Sequence, residues 1–236
     1  MTIETLTRQA HAHLRIDPAK AATAAASVHL VLLVASEIRT VTSQFPIFFA
    51  KDEETGQFYP AALLGLAPHE NLFWNGEALE ADHLPLNLLR LPFFVGEGGA
   101  VCIDMASPAI TPDGPCAITA DDGSDSDYFA AIQAMLARLL QGQQPTRSLV
   151  DLALALKLIT EIKLDLTFND GSTSLLTGLY GVDENALSRA YADIEEFATV
   201  MDLAAMALSL NHVAGLVRRK NARLAAHAQW FTAVAS

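Results

Sequence analysis

Apolar and polar positions change their period several times along this chain, and each change marks an element. "HLVLLV" at His29–Val34 is a short, nearly unbroken apolar run of the kind that forms a buried strand, and "SEIRTVTS" after it predicts a short helix with Ser36 as N-cap. In "QFPIFFAKDEETGQFYPAALLGL" (Gln44–Leu66) two apolar runs flank a charged segment containing Gly56. The pattern predicts a strand over Phe45–Ala50, a solvated turn over Lys51–Gln57 and a return strand over Phe58–Leu66. Pro46 and Pro60 fall in these runs, and proline cannot donate to a ladder, so both strands are expected to be edge, bulged or ending there. "HLPLNLLRLPFF" predicts one or two helical turns between prolines, with Arg90 near their end, and "AVCIDMASP" a short strand closing at Asp104 and Ser107.

Residues 111–127, rich in Pro, Gly and Asp, read as a loop with Ser126 as the N-cap of the next helix. Phe129, Ile132, Met135, Leu136 and Leu139 recur at helical spacing, predicting that helix over Tyr128–Gln141. Gly142-Gln143-Gln144-Pro145 is expected to break it, with Thr146 opening a second helix to about Ile159. "EIKLDLTF" alternates strictly, placing Ile162, Leu164, Leu166 and Phe168 on one face of a strand. Asn169-Asp170-Gly171 then turns it into "STSLLTGLY" as a hairpin, and Asp183 caps the next helix. From about Tyr191 to Leu224 the pattern is helical, with Leu203, Met206, Leu210, Val213 and Val217 as a packing stripe. A second stripe, Met201, Ala205 and Leu208, lies beside it and needs its own cover, which predicts a homodimer or a partner docked there. The expected fold class is α+β in one domain over residues 1–236, β-rich over 28–119 and helical with one hairpin over 128–224.

Of the 236 residues 51% are hydrophobic and 18% charged, a globular balance. The apolar runs Ala21–Ser36 and Leu203–Val217 fall short of the roughly 20 residues that span a bilayer. "MTIETLTRQAHAHLRI" at the start lacks the apolar core of a signal peptide, so the cytoplasm is the expected location. A net charge of -12 argues against general binding of nucleic-acid phosphates. Arg218, Arg219, Lys220 and Arg223 cluster, and are expected to complement the dipole at a helix C-terminus rather than to hold a phosphate.

Signatures of chemistry are sparse. No phosphate-binding G-x-x-x-x-G-K, nucleophile elbow, H-E-x-x-H or C-x-x-C occurs, and "GEGGA" (Gly96–Ala100) precedes a strand, not the helix a dinucleotide fingerprint needs. "DDGSDSD" has its glycine in the wrong place for a calcium loop. His11 and His13 would share a face in an extended segment, but no third ligand is evident, so no metal and no cofactor are expected. Arg90, Asp104 and Tyr180, each beside an apolar element, are the candidate ligand-binding residues; no catalytic residue stands out.

Eight segments in order carry a family resemblance: "HAHLRI", "HLVLLVASEIRTVTSQFPIFFA", "YPAALLGL", "ENLFW", "LPLNLLRLPF", "CIDMASP", "LTGLYGVDENAL" and "LSLNHVAGLVRR". Together, from about His11 to Arg219, they resemble the SapC-like family of bacterial proteins. The resemblance implies no catalytic residues. The family takes its name from a surface-layer-associated protein, and its members are often encoded beside TonB-dependent receptors, flavin-dependent tryptophan-halogenase-like proteins and cupin-like oxygenases. The expected function is therefore a non-enzymatic accessory protein of a nutrient or peptide uptake-and-modification system, docking a protein partner or a small ligand. An enzyme modifying peptides or small molecules, and a structural surface-layer component, are the alternatives.

Overall fold

The computed structural model describes residues 2–234, and their side chains as far as Trp230. The chain opens with β1 (Ile3–Thr5), α1 (Arg8–His11), β2 (Arg15–Ile16) and α2 (Pro18–Ala24), the last capped by Asp17 with proline at its first position. β3 (Leu30–Leu32), α3 (Ile38–Val41), β4 (Ile47–Lys51) and β5 (Phe58–Leu63) come next, then α4 (Leu86–Leu89), β6 (Phe93–Val95), β7 (Val101–Asp104) and β8 (Cys116–Ala117). The rest comprises α5 (Asp127–Ala155), β9 (Ile159–Thr167), β10 (Thr173–Val182), α6 (Glu184–Ala190), α7 (Phe197–Ser209) and α8 (Val213–Val234). The class is α+β.

Among the described residues three antiparallel sheets form, with orders β3-β5-β4-β10-β9, β1-β7-β6 and β2-β8. The halves expected from sequence are thus not segregated: the C-terminal hairpin β9–β10 completes a sheet begun by β3, β4 and β5, and the first sixteen residues supply strands to the two small sheets. β4 sits at the centre of the large sheet, which is why Ile47, Phe48, Phe49 and Ala50 are all buried. β5 is also interior, not an edge. Pro60 is tolerated there because its carbonyl accepts from Leu33 N–H on the β3 side (2.9 Å). The missing N–H faces the same way, just past the last pair with β3, and costs no bond to β4. β9 forms the outer edge, and its alternation holds: Ile162, Leu164 and Leu166 are half-buried and Glu161, Lys163 and Asp165 exposed.

The largest departure from the sequence reading is α5, which runs unbroken for 29 residues through Gly142 and Pro145. Gly142 is a packing position: a Cβ there would lie 2.7 Å from the Cβ of Val34. Thr146, a turn later, donates from Oγ1 to Gly142 O (2.6 Å) and accepts from Ala35 N–H (2.8 Å). Pro145 lies on the exposed side of the helix, where water reaches the carbonyl left without a donor. Ser36 is not the cap of the preceding helix either. A 3-10 turn over Ala35–Glu37 leads into α3, and Glu37 caps that turn: its carboxylate, 4% exposed, accepts from Val34 N–H (3.0 Å) and Leu86 N–H (2.8 Å).

Two hydrophobic clusters result. The larger gathers Phe45, Phe48, Phe49, Leu149, Ala153, Leu203 and Met206 around the five-stranded sheet. The smaller gathers Ile16, Phe93, Ile103, Phe129, Ile132 and Leu136 on the three-stranded sheet. α5 serves both, its first half packing in the smaller and its second half in the larger.

Two measurements test this junction. Gly142→Ala, which in an open helix would gain about 1 kcal/mol, should instead lower stability in denaturant melts, since Val34 has no room for the methyl. Burial raises the Glu37 pKa above its ordinary 4.5 against the pull of its backbone donors and Arg138. The folded state therefore binds that proton more tightly, and the resulting stability is present below about pH 4.5 and lost as pH rises through the folded value. The stability of wild type relative to Glu37→Gln should fall with rising pH across that window, and a flat difference would refute the shift.

Candidate functional site

A β-bulge shapes a large cleft. β10 pairs with β9 from Thr173↔Thr167 to Leu176↔Leu164, slips at Thr177-Gly178, and resumes at Leu179↔Ile162. Gly178 takes φ 74, the left-handed conformation that a bulge of this type needs. Beyond it, a straight β10 would carry Ser174 past the β4–β5 turn. Ser174 Oγ instead donates to Leu66 O (2.7 Å), at the opposite end of β5. The hairpin is bent back over the sheet. α8 holds its tip: Asn169 N–H donates to Asn221 Oδ1 (2.8 Å), and Lys220 Nζ lies 5.9 Å from the centre of the Phe168 ring.

Between sheet and hairpin lies a cavity of about 1060 Å³. Cross-strand pairing puts Leu30, Leu63, Ala50, Tyr59 and Leu179 on the same sheet face, and these form its floor. Residues 174–178 form the roof, His29 and Pro68 one end, and the turn at 51–54 the other. Burial, with Asp52 and Glu53 nearby, raises the Tyr59 pKa, so its phenol stays a neutral hydroxyl. Burial and the neighbouring His69 lower that of His29, which favours the neutral imidazole. Asp52 is held low by hydrogen bonds from Thr55. An apolar floor with a few neutral polar groups and an acidic end is suited to holding a ligand. A second cleft of about 940 Å³ lies where α5 passes β5, with exposed Leu32, Leu140 and Leu154 on its walls.

The residues singled out from sequence lie elsewhere. Arg90 closes α4, donates to Asn87 Oδ1 (2.7 Å), and stacks 4.3 Å from the Phe94 ring centre; burial lowers its pKa to about 10, which leaves it charged. Asp104 ends β7 and accepts from Thr2 N–H (2.7 Å) and Ala106 N–H (3.1 Å), a turn-capping role. Tyr180 lies in the other sheet, edge-on to Phe58 at 4.9 Å. None of the three lines either cleft. His11 and His13 do not share a face: His11 ends α1, is buried, accepts from Thr7 N–H (3.0 Å) and sits 3.5 Å from Glu4, while His13 is exposed. Among the described residues no group of three or more His, Cys, Asp or Glu is placed to hold a metal. The acidic loop is engaged by protein: Asp125 pairs with Arg8 (2.8 Å), Asp122 accepts from Ser124, and Ser126 caps α5 as expected. The sequence did carry one sign of the cleft, a glycine inside the strand pattern "LLTGLY".

The basic cluster also differs from expectation. It lies in the body of α8, not at a C-terminus, and fastens the loop after β5. Lys220 pairs with Glu70 (2.7 Å), Arg219 with Glu80 (3.0 Å), and Arg223 donates to the carbonyls of Asn71 (3.0 Å) and Trp74 (2.8 Å). α7 and α8, joined by a 3-10 turn over Leu210–His212, run together from Phe197 to Trp230. Within that stretch a window of mean hydropathy 1.5 makes the helix long and apolar enough to cross a membrane by length and composition, and 33% of the window is buried in this fold. The expected packing stripe is met, with Leu203 and Met206 fully buried. Of the second stripe, Met201 (43%) and Leu208 (65%) are exposed and Ala205 is half-buried; Phe197 (74%), a turn before Met201, extends the exposed row.

The bend is the feature to test. Gly178→Val forces a β-branched residue into the left-handed region, at about 1–2 kcal/mol. Amide exchange should quicken over Asn169–Leu176 and stay unchanged in β4, and equal quickening in both would mean that the bulge does not govern the hairpin separately.

Residues 6–217 match the family described as SapC. No curated protein and no solved structure matches the chain. With nearly its whole length matched, the chain belongs to the SapC family.

Proposed function

We propose that this chain is a non-catalytic binding protein, an accessory of a nutrient or peptide uptake-and-modification system, that holds a small molecule or peptide beneath the β9–β10 hairpin. The cleft of about 1060 Å³ carries this reading. Two of its polar groups favour binding over proton transfer: Tyr59 is shifted away from neutral pH, and Asp52 is shifted down and tied to Thr55. Arg90, Asp104 and Tyr180, which an enzyme reading would gather, are each engaged in separate structural contacts. A second copy covers the stripe Phe197, Met201 and Leu208 on α7, whose positions fall within one face of the helix.

Native mass spectrometry of the chain purified from its own host tests the cleft. An adduct carried by wild type should be lost from Thr177→Trp, a bulky substitution at an exposed residue that lines the cleft. Adducts equal on both proteins, or none on either, refute the reading. Light scattering tests the pairing: wild type should have twice the 25.3 kDa chain mass, and Leu208→Glu should return the single mass. A wild type of single mass excludes the dimer.

A further inference from the structure

We propose that the occupant of this cleft is an extended peptide segment that adds as a strand to the open edge of β10, with a basic group toward the Asp52–Glu54 turn. The inference rests on the cleft being the ligand site and names the class of ligand. β10 pairs with β9 along most of its length but with β4 only at Leu179 and Tyr180. From Thr173 to Gly178 its other edge has no strand beside it among the described residues, and that edge lines the cleft. The ladder phase is fixed at the turn, where Phe168 N–H donates to Ser172 O (2.8 Å). Alternation then turns Ser174 and Leu176 toward β9, and turns the N–H and C=O groups of Thr173 and Leu175 outward. Such groups, in a row, are matched by another backbone in the extended conformation.

The edges of this sheet are treated differently, which supports the reading. The outer strand β9 carries Glu161, Lys163 and Asp165, the charges that commonly blunt an edge. At β3, Asn87 Nδ2 donates to Leu32 O (2.9 Å) and occupies the terminal carbonyl. The segment Thr173–Gly178, "TSLLTG", has neither charge nor proline, and Leu175 is 65% exposed. The open stretch spans about 20 Å at the rise of a strand, enough for a peptide of several residues with alternate side chains directed to the apolar floor. Charge sets the polarity of the site. Register places Lys51 beside Gly178, so the turn Asp52-Glu53-Glu54 lies at that end and outweighs the one lysine. At the other end stand His29 and Pro68, and the carboxylate nearest them, Glu70, is already bound to Leu66 N–H (3.1 Å) and neutralised by Lys220 (2.7 Å). A cationic residue is therefore favoured near Gly178.

A display library of random octapeptides, panned on the full chain, is the test. Enriched peptides should combine a basic residue with alternating apolar ones. N-methylation of their alternate amides should weaken binding by about tenfold or more, the loss of one or two backbone hydrogen bonds. Leu175→Pro, which removes an outward N–H and spares the ladder to β9, should weaken the unmodified peptides similarly; the N-methylated peptides need no variant and guard against misfolding. Exchange of Glu53 and Glu54 for Gln should weaken the basic peptides selectively. Absence of enrichment, or peptides indifferent to N-methylation, overturns the inference. If a small-molecule adduct is nonetheless lost from Thr177→Trp, the cleft reading stands and only the peptide falls; if neither ligand is found, both fall.

Discussion

The buried carboxylate of Glu37 is the point through which the two hydrophobic clusters are joined. A charge withdrawn from water in this way is costly unless its lone pairs are occupied, and here Val34 and Leu86 N–H groups occupy them. Those donors come from chain segments that enter the smaller cluster, while Ile38, next to Glu37, lies in the larger. The same turn gives its Ala35 N–H to Thr146 and its Val34 side chain to the gap at Gly142. One turn of chain is thus gripped from both sides where α5 passes from one cluster to the other. Without that grip, α5 would have a glycine and a proline in mid-helix and nothing to offset them.

With α5 fixed, the chain leaves Ala155 and, after Leu158, enters β9 beside the large sheet. The sheet cannot close as a flat layer, because the β9–β10 hairpin is long and its inner pairing partner β4 ends at Lys51. The bulge at Thr177-Gly178 resolves this by folding the free half of the hairpin over the sheet face. Lys220 then acts twice, pairing with Glu70 on one side and lying over Phe168 on the other. The same helix therefore holds both the loop after β5 and the tip of the hairpin.

Elements with a strict local period were legible in the sequence: the alternation of β9, the Asn-Asp-Gly turn, the caps at Ser126 and Asp183, and the stripe of α7. Local reading failed for residues whose environment is distant. Gly142 and Pro145 look like a break until Val34 and Ala35 arrive from a hundred residues away. Arg219, Lys220 and Arg223 look like a helix end until the 70–80 loop supplies carboxylates and carbonyls. His11 and His13 look like a pair only if the segment is extended, and Thr7 caps a helix there instead. Asp104 and Arg90 are polar residues next to strands because turns and carbonyls need them. The cleft was missed because its walls are apolar and its shape comes from a bend; Gly178 marks where the bend occurs but not which surface it covers.

Hydropathy alone would treat the stretch from Phe197 to Trp230 as suited to lipid, and its polar residues decide how it is used in this fold. Asp202 is mostly buried and pairs with Arg39 (2.7 Å). Ser209 is buried, accepts from Ile47 N–H (2.8 Å) and donates to Met206 O (2.6 Å). His212 meets Thr42 O (3.0 Å). Each of these groups has its partner in α3, β4 or the turn between them, so the side of the helix that bears them is fitted to this interior. Polar groups withdrawn from water are tolerated where such partners exist, and here the partners are specific and distant in sequence. The exposed row of Phe197, Met201 and Leu208, on a neighbouring side, has no such polar matching. An apolar row on a helix whose other face is already fixed in a core is free to meet a second surface without disturbing the first, so the proposed pairing through α7 and the proposed ligand site under the hairpin draw on separate residues.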